Sequence, residues 1–233
     1  MNYSKKYFDK YTPTYSIERL ELVITWLKRI KNSKTSLLDI GCGDGSCLQY
    51  ISKKTGIKNL AGIDESDKYI KIAPKNINAK FVCADVLKLR IKEKYDVILI
   101  MAVLHHLIGK SRKESKKLAE KAINNCLKIL KEDGSLIIFE PVFSNYLMMD
   151  ILFYLKKILS KISNKRITLF GHWNNIGAPV VSYFSQESLI KIIKQNGGIT
   201  KKSKYILAKP KIIYKLFNIE RGDLYLRIKK SRK

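Results

Sequence analysis

Three glycines at alternate positions, Gly41, Gly43 and Gly45, close the stretch Leu37-Leu-Asp39-Ile-Gly41-Cys42-Gly43-Asp-Gly45-Ser46. Such a turn lets the backbone approach a ligand closely. If it feeds a helix N-terminus, the unpaired N–H groups there suit a carboxylate or a phosphate. The dinucleotide fingerprint G-x-G-x-x-G would put Ser46 at its third glycine and leave Gly45 surplus. Asp39, two residues before the first glycine, would face phosphate oxygens of like charge and is better suited to an ammonium. Asp64 ends the next apolar run, 19 residues after Gly45, where an acid can accept both hydroxyls of a ribose. Asp85 ends a third run with Val86 beside it. A carboxylate there can accept from an exocyclic adenine amine while the apolar neighbour packs the ring. One ligand satisfies all three acids: an adenosine that carries an amino acid and no phosphate.

A second group of residues could handle an acceptor. His105 and His106 follow a fourth apolar run, and Glu140 closes a fifth. An imidazole can orient a substrate or take a proton near neutral pH, and a base is needed only for acceptors that keep a proton. The competing reading has His106 packing and hydrogen-bonding its own loop. His172 and Trp173, with Tyr183 and Tyr146, supply the mixture of polar and aromatic groups that lines small-molecule pockets.

The elements that position these residues alternate. Apolar runs at 36–41, 59–64, 79–85, 95–102 and 135–140 read as strands. The fourth is apolar on both faces, as a central parallel strand must be. Between them lie helical patterns, the longest over 111–131, where Leu118, Ala119, Ala122, Ile123, Cys126, Leu127 and Leu130 recur at helical steps. Glu132-Asp-Gly134 is expected to close that helix. This rhythm implies an α/β chain with a parallel sheet, helices on both faces and right-handed crossovers. Ligands in such sheets bind outside the carboxyl ends of the strands, where the acids and histidines fall. Past residue 141 the rhythm breaks for about forty residues, too long for an ordinary loop. An amphipathic helix over about 146–162 stands there, with Met148, Ile151, Leu152, Leu155, Ile158, Leu159 and Ile162 on one face. That face either packs inward to cap an acceptor pocket or lies on a membrane with lysines toward anionic headgroups. A helix near 185–196 and strands at 199–207 and 223–229 complete the chain.

On Asp39-Ile-Gly-Cys-Gly-Asp-Gly45, Gly62-Ile-Asp64, Phe81-Val-Cys-Ala-Asp85, the run 95–106 and the run 130–141, the sequence resembles the class I S-adenosylmethionine-dependent methyltransferases. The Val-Leu-His-His-Leu stretch resembles the branch that includes ubiquinone-biosynthesis and many small-molecule methyltransferases. The resemblance covers residues 36–141 in the family's order. It implies a Rossmann-like, doubly wound seven-stranded sheet, mostly parallel, with an antiparallel last strand and a helical insertion after strand five. It also implies S-adenosylmethionine as cofactor. Gly41, Gly43 and Gly45 would flank the methionine part, Asp64 would hold the ribose, and Asp85 with Val86 the adenine. Met101 and Ala102 would line the floor, and Cys42 and Glu65 complete the implied cofactor set. The domain organisation expected is an N-terminal helical lid segment over 1–35, carrying Tyr7, Tyr11 and Tyr15, and a catalytic domain over 36–233 with a substrate cap at 142–184. The acceptor implied is a small molecule, a lipid-linked group or a saccharide. An RNA acceptor is the alternative, although the Asn/Asp-Pro-Pro-Tyr/Phe motif of base-amine methyltransferases is replaced by Met101-Ala-Val-Leu104. A non-catalytic cofactor-binding protein is a third reading.

Composition bounds these readings. The 233 residues suffice for one large α/β domain, and a hydrophobic fraction of 45% with 28% charged residues excludes a disordered chain. Lys and Arg number 46 against 20 acids, a formal net charge of +26. Residues 141–233 carry 19 basic and 4 acidic side chains, net +15. The excess is either compositional drift in a chain rich in Lys, Ile and Asn or an anion-facing surface. Cys42, Cys47, Cys83 and Cys126 form no C-x-x-C pair, so neither a metal site nor a disulfide framework is expected. No run reaches the ~18–20 uncharged apolar residues of a membrane span, and no signal-peptide pattern opens the chain. A cytoplasmic protein, at most peripheral at a membrane, is expected.

Overall fold

A computed structural model describes residues 17–162, 180–209 and 218–231. Helix α1 spans Ile17–Ile30, β1 Ser36–Ile40, α2 Ser46–Thr55, β2 Asn59–Asp64, α3 Asp67–Ile72 and β3 Ala79–Cys83. Then come β4 Tyr95–Met101, α4 Arg112–Ile129, β5 Leu130–Phe143, α5 Tyr146–Ile162, α6 Gln186–Gln195, β6 Gly198–Leu207 and β7 Arg221–Lys230. Short 3-10 turns follow β3 at Val86–Lys88 and β4 at Leu104–His106.

The seven strands form one sheet in the order β3-β2-β1-β4-β5-β7-β6. The first five are parallel, and β7 is antiparallel to both of its neighbours. This is the Rossmann-like, doubly wound architecture with an antiparallel last strand. Successive side chains of a strand point to opposite faces, and both faces here are apolar. Leu38, Ile98, Ile100, Leu136 and Ile138 meet one helical layer that includes Ala119, Ala122, Ile123 and Cys126 of α4 and Leu189 and Ile193 of α6. Leu37, Val97, Leu99, Ile137 and Phe139 meet the other, built from Leu20, Val23, Ile24 and Leu27 of α1 and Leu48 and Ile51 of α2. α1 is therefore a layer of the core. Tyr7, Tyr11 and Tyr15 lie outside the described residues.

One local expectation is corrected. Glu132-Asp133-Gly134 does not end the long helix. α4 stops at Ile129, and β5 already starts at Leu130, which pairs with Tyr95 across a register shift before Ser135 pairs with Val97. The extra residues sit in a bulge, which the turn-like composition disguised. Of the two placements open to the α5 face, the inward one is not found. Among its described side chains, Met149, Phe153 and Lys156 are buried, while Ile151, Leu155 and Ile158 are exposed. Three polar ties fix this orientation. Asp150 Oδ1 stands 2.8 Å from Arg112 Nε, and Lys157 Nζ donates to the carbonyls of Gly109 and Lys110. With apolar residues on both faces, the sequence pattern could not tell which one meets the core.

Candidate active site

The glycine turn leaves β1 and enters α2 at the carboxyl ends of the parallel strands. Gly41 and Cys42 donate their N–H groups to Ile63 O at 2.8 and 3.0 Å, which ties the turn to β2. Gly41 has φ +70°, and a Cβ there would lie 2.5 Å from Val103 Cγ2. Gly43 has φ +55°, but a Cβ on it would meet nothing within 4 Å. The first glycine serves the packing of the turn; the second leaves a space in front of it. Gly45 caps α2 and brings no capping side chain. The Cys42 side chain is buried below the turn, its thiol pointing back to Gly43 O.

Asp64 bonds this turn directly, Asp39 lies near Asp64, and Asp85 follows the neighbouring strand β3. Asp39 is buried, and its Oδ1 has no hydrogen-bond partner among the described residues. Burial, with Asp64 nearby, pushes its carboxyl up to about 8. A buried, unsatisfied carboxyl is costly unless a cation or donor completes it. Asp64 receives Gly43 N–H on Oδ2 and Ser66 N–H on Oδ1, both at 2.9 Å. Each oxygen keeps a lone pair for a further donor. Asp85 caps the 3-10 turn, accepting Leu87 N–H on Oδ1 at 2.8 Å, with Val86 buried beside it. Glu65 is exposed beside Asp64. Met101 is buried, and Ala102 follows it with φ +58°, its N–H bonded to Phe139 O at 2.8 Å. An ammonium against Asp39, ribose hydroxyls against Asp64 and an amine against Asp85 fit S-adenosylmethionine. The space before Gly43 leaves room for its amino-acid end.

The second group assembles at the ends of β4 and β5. Glu140 is fully buried. Its Oε1 accepts the N–H groups of Val103 and Leu104 at 2.8 and 2.6 Å, and its Oε2 lies 2.6 Å from His105 Nδ1. Burial pushes the Glu140 carboxyl up to about 8 and the His105 imidazole down to about 3. Burial thus favours the uncharged form of both partners. His106 stacks at 4.0 Å from His105 in a tilted arrangement, and burial with the neighbouring His105 and Lys156 holds its pKa well below the usual histidine range. Tyr183 stacks on His105, ring centroids 5.2 Å apart, and its carbonyl accepts from Arg112 Nη2 at 2.9 Å. Tyr146 begins α5. His172 and Trp173 lie outside the described residues.

Several residues here gave no warning in the sequence. Arg112, Ser182 and Lys156 are buried around the histidine turn, and Ser182 N–H donates to His105 O at 2.8 Å. Burial holds the Lys156 ammonium down to about 7. Each sits on an element whose own pattern reads as an ordinary surface or loop, so only the tertiary arrangement reveals it.

Residues 38–138 match the methyltransferase domain family. The malonyl-[acyl-carrier protein] O-methyltransferase of Priestia megaterium is 25% identical over 197 residues, covering 83% of this chain. The chain spans 64% of that relative's length. The demethylmenaquinone methyltransferase of Thermotoga maritima is 20% identical over 199 residues, 81% of this chain and 83% of that protein. Among solved structures, the [4+2]-cyclase SpnF superposes with a TM-score of 0.64 at 16% identity, over 93% of this chain and 82% of that one. The last likeness is one of fold.

Proposed function

We propose that the chain is a class I S-adenosylmethionine-dependent methyltransferase and that it transfers a methyl group to a small-molecule, lipid-linked or saccharide acceptor. The observation that carries the reading is the shared edge of the sheet. The acids of the cofactor cradle and the Glu140–His105–His106 turn both stand at the carboxyl ends of the parallel strands. The cofactor supplies a methyl carbon already made electrophilic by its sulfonium. The protein then has mainly to hold donor and acceptor in line and exclude water.

Asp39 pairs with the ammonium, Asp64 with the ribose hydroxyls and Asp85 with the adenine amine. Glu140 and His105 act as positioning residues, because the carboxyl spends its acceptors on the turn it holds. His106, half-buried at the tip of that turn, is the group assigned to the acceptor, with Tyr183 behind His105. His172, Trp173 and Tyr146 are assigned to the acceptor wall. The names of two relatives support acceptors of this kind, one malonyl-[acyl-carrier protein] and the other demethylmenaquinone. All four cysteines are free thiols, which fits the cytoplasm.

The test is incubation of the protein with methyl-labelled S-adenosylmethionine and an extract of the source cells, followed by separation of RNA, protein, lipid and metabolite fractions. Label in lipid or metabolites is the expected result. Label in RNA would overturn the acceptor assignment and make the +26 charge a substrate-binding feature. Tight cofactor binding with no transfer to any fraction would leave a binding protein on this fold.

A further inference from the structure

Helix α5 is turned the wrong way round for a helix that faces only water. Its inward face buries a lysine, Lys156, at 8% exposure together with Met149 and Phe153. Its outward face presents Leu147 at 70%, Ile151 at 49%, Tyr154 at 45%, Leu155 at 47% and Ile158 at 57%. At 3.6 residues per turn these five fall within an arc of about 100°. A contiguous large apolar stripe on a monomer marks a contact surface rather than chance exposure. The ties of Asp150 to Arg112 and of Lys157 to the loop carbonyls hold this rotation, so the helix cannot simply roll the stripe inward.

We infer that this stripe docks on an anionic lipid surface. Charge complementarity selects the occupant. The loop that Lys157 grips carries Lys110, exposed, and Lys113, also exposed, stands at the start of α4 beside Arg112. The chain as a whole carries +26, and its segment 141–233 carries 19 basic against 4 acidic residues. A second copy would bring the same positive charge to the contact, whereas anionic headgroups attract each lysine near the surface. An interfacial helix needs this combination, apolar residues toward the acyl boundary and basic residues at headgroup level. No helix among the described residues is long and apolar enough to cross a membrane, so the contact lies on the surface. The placement also sets α5, which follows directly on β5 and Glu140, between the bilayer and the crevice. An acceptor dissolved in the membrane would then reach the site from that side.

The test is co-sedimentation of the full chain with vesicles of phosphatidylcholine alone and of phosphatidylcholine mixed with phosphatidylglycerol. The expected result is binding to the mixed vesicles and little to the neutral ones. The double variant I151D/I158D should lose about tenfold or more of that partition. Its circular dichroism and its affinity for S-adenosylhomocysteine should be unchanged. K110E/K113E should lose binding to the mixed vesicles while keeping the fold. Equal binding by I151D/I158D and the unaltered chain would overturn the inference in favour of bulk charge attraction. Absence of binding to either vesicle would overturn it as well. A dimer in sedimentation velocity that I151D/I158D abolishes would assign the stripe to a second copy. None of these outcomes depends on methyl transfer.

Discussion

His105 Nδ1 and Glu140 Oε2 stand 2.6 Å apart in a fully buried pocket, and the same carboxyl holds the backbone N–H groups of Val103 and Leu104. One side chain from the end of β5 thus fixes the whole turn after β4. Removing it orphans two backbone donors and an imidazole together. Glu140→Ala should lower unfolding stability by about 3 kcal/mol or more, since each buried unsatisfied group costs ~1–3 kcal/mol. Glu140→Gln keeps an oxygen for the two N–H groups and can donate to Nδ1, so it should recover most of that loss. Denaturant unfolding of the two variants checks the contrast. Equal losses would mean that the carboxyl's charge, rather than its hydrogen-bond pattern, holds the turn.

The two central glycines of the turn should respond differently. An added Cβ at Gly41 meets Val103, and at Gly43 it meets open space, although both positions have positive φ. Gly41→Ala should lose stability and cofactor binding together. Gly43→Ala should cost about 1 kcal/mol of fold from its backbone conformation and a larger share of cofactor affinity. Calorimetric titration with S-adenosylhomocysteine beside thermal unfolding separates the two.

Asp64→Ala should weaken S-adenosylhomocysteine by ten- to a hundredfold, about 1.4–2.8 kcal/mol, because it removes both ribose partners and the anchor of Gly43. An unchanged affinity would discard the ribose assignment.

Asp39 predicts a proton release. Its carboxyl is held up to about 8 by burial and by Asp64, so it is largely protonated at pH 7 without ligand. Binding of an ammonium favours the carboxylate, and the displaced proton enters the buffer. Calorimetry of S-adenosylhomocysteine at pH 7 in buffers of different ionisation enthalpy should report release of a proton. Asp39→Asn should bind more weakly and release none. Affinity should fall as pH falls below 8. Binding without buffer dependence would assign the ammonium elsewhere.

Lys156 predicts a pH dependence of stability itself. Its folded pKa lies down near 7, below its unfolded value. Between about pH 7 and the ordinary lysine range the unfolded chain binds more protons, so stability rises with pH in that window. Lys156→Met removes the buried ammonium and should stabilise the protein by about 1–3 kcal/mol at pH 7. The advantage should shrink toward pH 10. Denaturant unfolding at both values decides it.

Most of this arrangement is written locally. The parallel strands are short apolar runs that end in Gly41, Asp64, Asp85 or a histidine pair, and a strand buried on both faces needs no partner to be recognised. The same locality explains Ser66, Ser111 and Ser185, each of which caps its helix as an N-terminal serine should. What could not be read is set by long-range packing. Leu130 becomes a strand residue because Tyr95 pairs with it, against the turn-like Glu132-Asp133-Gly134 that follows. α5 has apolar residues around most of its circumference, and Asp150 and Lys157 choose its rotation through partners far away in the chain, Arg112 and Lys110. Arg112 and Lys156 read as solvated charges until the histidine turn closes over them.

The position of β7 has a consequence for how the chain acquires its shape. During synthesis β5 emerges with one neighbour, β4, and its other edge stays bare until Arg221–Lys230 arrives to pair with it. That edge belongs to a strand whose residues from Gly134's successor Ser135 to Phe143 are all buried in the finished fold. An unpaired apolar strand edge recruits whatever strand is near. The growing chain therefore passes through a long interval in which β5 is its chief aggregation hazard, and truncation before β7 should shift the product toward the insoluble fraction.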